Sequence, residues 1–79
     1  MRYYFDTAIN HGEWQTFDAD GQDLPGLGAV RDEAVGVLCD LTRDVLRDRD
    51  GLDLAVAVRD RIGAVVFRAR LSLVADRPG

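Results

Sequence analysis

The sequence predicts an α+β fold in the order β-β-α-β-β: an antiparallel sheet with one helix packed on one face. Three observations carry it. Apolar residues recur every third or fourth position through the middle of the chain. Aromatic and β-branched residues alternate with polar ones near the start. Two further alternating runs, separated by a Gly-containing turn, follow the middle segment.

The central segment reads as one helix over Leu27 to Asp48. Leu27, Val30, Ala34, Val37, Leu38, Leu41 and Val45 fall on a single stripe at about 100° per residue, as a core-facing helix requires. Gly26 stands at the N-cap, Pro25 keeps Leu24 extended, and Leu24 is placed to pack beside the helix start. Asp32 and Glu33 lie early and Arg43 and Arg47 late, in keeping with the helix dipole. Asp40 with Arg43 and Asp44 with Arg47 have i,i+3 spacing. Gly36 interrupts the helix, through either a close backbone approach or drift. Asp50-Gly51 is the stop signal, with Gly51 as the left-handed residue.

Arg2 to Ile9 is the first strand, with Tyr3, Phe5, Thr7 and Ile9 on the buried side. Asn10-His11-Gly12 is a turn, and Glu13 to Phe17 a shorter second strand completing a hairpin. Asp18 to Asp23 reads as a polar connection. Leu52 to Arg59 and Ala64 to Val74 are the third and fourth strands, joined by Asp60-Arg61-Ile62-Gly63. Setting Arg59 opposite Ala64 pairs Val56 with Phe67 and Asp53 with Arg70. The predicted core is Tyr3, Phe5, the helix stripe, Leu54, Val56, Val58, Phe67 and Leu71.

At 79 residues the chain is read as one domain, 1–79. A domain this small buries only about 60% of its unfolded surface, so a disulfide, a metal or a partner subunit often supports one. Cys39 is the only cysteine and His11 the only histidine, which excludes an intrachain disulfide and speaks against an all-protein zinc site, since structural zinc sites usually need four N/S ligands. Self-association or a protein partner remains. All 10 basic residues are arginine and the net charge is −4, which speaks against a general nucleic-acid binder. No stretch approaches the roughly 20 apolar residues of a membrane span, and no signal peptide is evident, so a cytoplasmic protein is expected.

The residues that could carry chemistry are few, and each has a plain structural role. His11 sits in a turn without a visible constellation, and a lone imidazole there is an exposed turn residue. Cys39, beside the apolar stripe, reads as a small buried hydrophobe, with no basic cluster to activate a thiol. Asp18, Asp20 and Asp23 do not meet the spacing of a calcium loop and read as an acidic turn. Gly26-Leu27-Gly28 lacks the lysine of a phosphate loop. No catalytic group, metal ligand or cofactor-binding residue is assigned. Alternation places Tyr4, Arg59, Val66, Arg68 and Arg70 on the outer sheet face, which is the candidate interaction face.

The aromatic opening Arg2-Tyr3-Tyr4-Phe5-Asp6 and the acidic turn with helix start, Asp20-Gly21-Gln22-Asp23-Leu24-Pro25, are joined by an Ala-rich helix opening over Ala29 to Ala34. A hairpin from Val56-Ala57-Val58-Arg59-Asp60 through Phe67 closes the pattern. Together they resemble a family of small uncharacterised bacterial domains of unknown function, mainly alphaproteobacterial, marked by an aromatic first strand and a Gly-x-x-Leu-Pro helix start. The resemblance covers nearly the whole chain, with Gly26 where an Asp cap is usual and a longer last strand. It implies one intact domain and no activity. The function is therefore unknown, and the residues point away from an enzyme. A non-catalytic protein-interaction or homodimerising module ranks first, a nucleic-acid-binding sheet face second, and a small ligand-binding domain or enzyme last.

Overall fold

The computed structural model describes residues 1–12, 14–45, 51–76 and 78, with only the backbone at Trp14. The predicted start of the second strand at Glu13, the helix end beyond Val45, the Asp50 stop signal and the Asp44–Arg47 pair lie outside the described residues. The elements are β1 (Arg2–Ile9), β2 (Trp14–Thr16), β3 (Gln22–Asp23), α1 (Leu27–Val45), β4 (Gly51–Arg59) and β5 (Val65–Val74). Among the described residues the architecture is α+β: one antiparallel five-stranded sheet and one helix, in the order β-β-β-α-β-β.

The sheet runs β2-β1-β4-β5, with β3 also on β1. Because β4 takes the inner edge of β1, the two short strands share its outer edge: β2 opposite Thr7 to Ile9, and β3 opposite Arg2 and Tyr3. The segment expected to be a polar connection thus contains a strand. Two residues are too few to show a period of two, so nothing in the pattern marks β3.

α1 begins where its N-cap predicts: the Val30 N–H donates to the Gly26 carbonyl at 3.1 Å. Its first turn has no acidic side chain, since Asp32 and Glu33 lie further in. The Asp40–Arg43 pair forms at 3.7 Å between exposed groups, where such pairs contribute little. No atom lies within 4 Å of a Cβ built at Gly36, so no close backbone approach requires that glycine. Gly51 begins β4, opposite Val74, and is not left-handed.

Val30, Ala34 and Leu38 of α1 are buried against Leu52, Leu54, Val56 and Val58 of β4, with Tyr3 and Phe5 of β1 completing one core cluster. β4 is central and covered by the helix, so each residue of its inward set is lost to water. The stripe is buried mainly in the middle of the helix: Leu27 is 56% exposed. Leu71, expected in the core, faces the correct side but lies on the edge strand and is 40% exposed.

The β4–β5 register differs from the expected one by two residues. Val56 opposes Ala69 and Asp53 opposes Ser72, while Arg70 opposes Ala55. Two single steps add up to it: the turn sets Arg59 opposite Val65 in place of Ala64, and a bulge beside it pairs Val58 with Phe67, leaving Val66 extra on β5. The turn itself is held by Asp60, whose carboxylate accepts the Ile62 and Ala64 N–H groups, while Gly63 supplies a φ of +89°. A shift of two preserves the faces, so Phe67, Ala69 and Leu73 still pack on the core.

Candidate interaction face

The sheet face away from α1 is built in rows by the strand register. Tyr4 stands beside Arg59, Asp6 beside Ala57 and Arg68, Ala8 beside Ala55 and Arg70, and Asp53 beside Ser72. The three alanines leave a shallow hollow of about 290 Å³, with Phe17 and Gln15 on one side and Arg68 and Arg70 on the other.

The predicted face residues divide into three groups. Tyr4 and Arg59 are engaged within the chain. Arg59 donates to both oxygens of Asp6, at 2.6 and 3.1 Å, and to the Asp18 carbonyl at 3.1 Å, and its guanidinium lies 5.2 Å from the Tyr4 ring centre. A bidentate, charge-assisted contact of this kind fixes a side chain more firmly than a single surface ion pair. Val66, displaced by the bulge, is half-buried and packs on the core cluster instead of joining the arginines. Arg68 and Arg70 remain exposed, and among the described residues no carboxylate forms an ion pair with either.

Asp18 anchors the loop that crosses the outer edge of β1. Its carboxylate accepts N–H groups from Phe5 at 3.1 Å, Asp20 at 3.1 Å and Gly21 at 3.0 Å, and its own N–H donates to Asp6 at 3.0 Å. The donation from Phe5 falls in the gap between β3 and β2, where the outer edge of β1 has no strand partner among the described residues. The Gly21 N–H, followed by the Phe5 and Asp20 N–H groups, holds the Asp18 carboxyl below the ordinary carboxylate range. The Arg59 guanidinium does the same for Asp6. Gly21 has a φ of +70°, and a Cβ there would stand 2.8 Å from the Tyr3 carbonyl oxygen, so this turn requires glycine. The Asp18 carboxylate is thus occupied by N–H donors, and among the described residues no cluster suits a metal ion.

At the far end of the face, His11 Nε2 lies 3.1 Å from one Asp53 oxygen, and the Ser72 hydroxyl donates to the other. The Ser72 hydrogen bond, then the His11 charge and contact and the Arg70 charge, lower the Asp53 pKa. The order is His–Asp–Ser, with the carboxylate in the middle. No hydrogen bond joins His11 to Ser72 among the described residues, so the imidazole is not placed to take the hydroxyl proton. His11 is exposed in a left-handed turn, as expected, and tied to β4. Cys39 is exposed, not a buried hydrophobe as predicted, because it lies one position beyond Leu38, outside the buried stripe.

The Asp6–Arg59 and Asp18 contacts were not foreseen. Their only trace in the sequence is opposite charge at outward positions of two strands, which becomes informative once β1 is known to pair with β4. No helix among the described residues is long and apolar enough to cross a membrane.

No curated protein and no solved structure matches the chain. Residues 2–72, from the first residue of β1 to the Ser72 that contacts Asp53, match the family described as Domain of unknown function (DUF6894). The chain belongs to that family.

Proposed function

We propose that this chain is a non-catalytic protein-interaction module of the bacterial cytoplasm, working through the open edge strand of its sheet. The observation that carries this reading is the asymmetry of the two sheet edges. The outer edge of β1 is closed by β2, β3 and the Asp18 carboxylate. β5 is ten residues long, ends the sheet on the other side and, among the described residues, has no strand beyond it. A long edge strand offers a row of backbone donors and acceptors to another chain, and proteins that do not use such an edge shorten or cover it. Val65, Leu71 and Val74 on β5 are 44%, 40% and 85% exposed, giving the edge apolar surface as well. Arg68 and Arg70 border it on the open face.

The test is amide hydrogen exchange along 67–74, followed by NMR as the protein is concentrated and as extended peptides are added. Occupation of the edge slows exchange there. Exchange unchanged under both conditions removes the reading.

A further inference from the structure

We infer that the strand the β5 edge accepts is an extended segment of another protein with acidic side chains at alternate positions, and not a second copy of this chain. The inference rests on the reading of β5 as a strand-accepting edge and names its occupant.

The argument starts from the alternation. β5 presents Arg68, Arg70 and Ser72 to the open face and Phe67, Ala69, Leu71 and Leu73 to the helix side. It contains no acidic residue. Directly opposed residues on neighbouring strands lie on the same face of a sheet, so whatever pairs with β5 sets its own alternate side chains beside these two arginines.

Consider a second copy first. Two β5 strands related by a two-fold axis normal to the sheet pair residue i with residue 2c − i, where c is the residue on the axis. Centring on Ala69 opposes Arg68 with Arg70 of the copy. Centring on Arg68 or Arg70 opposes that arginine with itself. Moving the axis one residue further either way still leaves arginines diagonal to one another. Every register that uses the middle of β5 therefore gathers like charges, which destabilise a strand pair. Asp53, opposite Ser72 on the same face, already accepts from Ser72 and contacts His11.

An acidic segment reverses each of these terms. Glutamate or aspartate opposite Arg68 and Arg70 meets two exposed guanidinium groups that lack ion-pair partners among the described residues. The residues between them, opposite Ala69 and flanking Leu71, lie on the helix side, where apolar side chains extend the exposed apolar edge. The fitting pattern is apolar–acidic–apolar–acidic–apolar. The bulge at Val66 breaks the regular ladder at the turn end, which places the docked segment along 67–74.

Short labelled peptides alternating valine with glutamate, threonine or lysine test this by fluorescence anisotropy, with β5 amide exchange read in parallel. The glutamate peptide should bind roughly tenfold more tightly than the threonine peptide, the lysine peptide should be weakest, and the order should fade as salt rises. Arg68→Gln/Arg70→Gln should abolish the preference, and Arg68→Glu should move it toward the lysine peptide. Glutamate and threonine peptides binding equally, or a β5-paired dimer by sedimentation and exchange, would overturn the inference and leave the edge reading standing. If neither any peptide nor self-association slows β5 exchange, the edge reading fails as well.

Discussion

Three backbone N–H groups converge on the Asp18 carboxylate, from Phe5, Asp20 and Gly21. Each is a donor that would otherwise be left to water or to nothing, and a typical hydrogen bond of this kind contributes about 1 kcal/mol net. Asp18→Ala is expected to destabilise the fold by about 2 kcal/mol in urea denaturation, allowing for partial replacement by water, with Asp18→Asn losing less. The same residues give a pH dependence with a definite sign. Asp6 and Asp18 titrate below their ordinary 3.8 in the folded chain. Their contribution is present above the unfolded value and is lost as pH falls through the lowered folded values. Thermal midpoints should hold from neutral pH to about pH 5 and drop below about pH 4. Asp18→Asn should make that acid limb shallower in melts followed by circular dichroism.

At the level of elements, two glycines make opposite predictions. Gly36 is exposed in the helix with nothing within 4 Å of its would-be Cβ, so Gly36→Ala should stabilise the protein by about 1 kcal/mol. Gly21→Ala should destabilise it by more than about 1 kcal/mol, since it meets both a left-handed φ and the Tyr3 carbonyl. Urea midpoints of the two variants, read side by side, check both. The bounds of β1 and the first residue of α1 were legible in the sequence because alternation, Pro25 and Gly26 are local signals. β3 was not legible, being too short to have a period, and the β4–β5 register was missed because a turn one residue longer and an inserted Val66 together shift it by two, which leaves the alternation of 67–74 unchanged. At the candidate face, Arg68 and Arg70 could be placed from their own strand. The engagement of Arg59 with Asp6 could not, because it depends on β1 lying beside β4 across more than fifty intervening positions.

For the whole molecule, one helix covers one side of a five-stranded sheet. The radius of gyration is 13.8 Å, above the roughly 11–12 Å of an equally long compact domain, so the described body is extended and its core is one residue layer deep between helix and sheet. Leu54 lies at the centre of that layer and is 1% exposed. Leu54→Ala should cost about 2–5 kcal/mol, against a total of about 4–12 kcal/mol expected for a chain of this length. The variant is expected to be partly unfolded at body temperature, as calorimetry would show.

The closed edge of β1 also decides what kind of assembly the chain can enter. A sheet that grows at both edges can be a link in a fibre, since each subunit offers a donor side and an acceptor side. Here one side is already filled by the chain's own β2 and β3, with the Asp18 carboxylate set between them. Opposite β5 the sheet therefore offers, among the described residues, only the short outer edges of β2 and β3. If β5 accepts a strand as proposed, addition is favoured at that one edge, because the strands that end the sheet on the other side are only three and two residues long and make a poor template for a repeat.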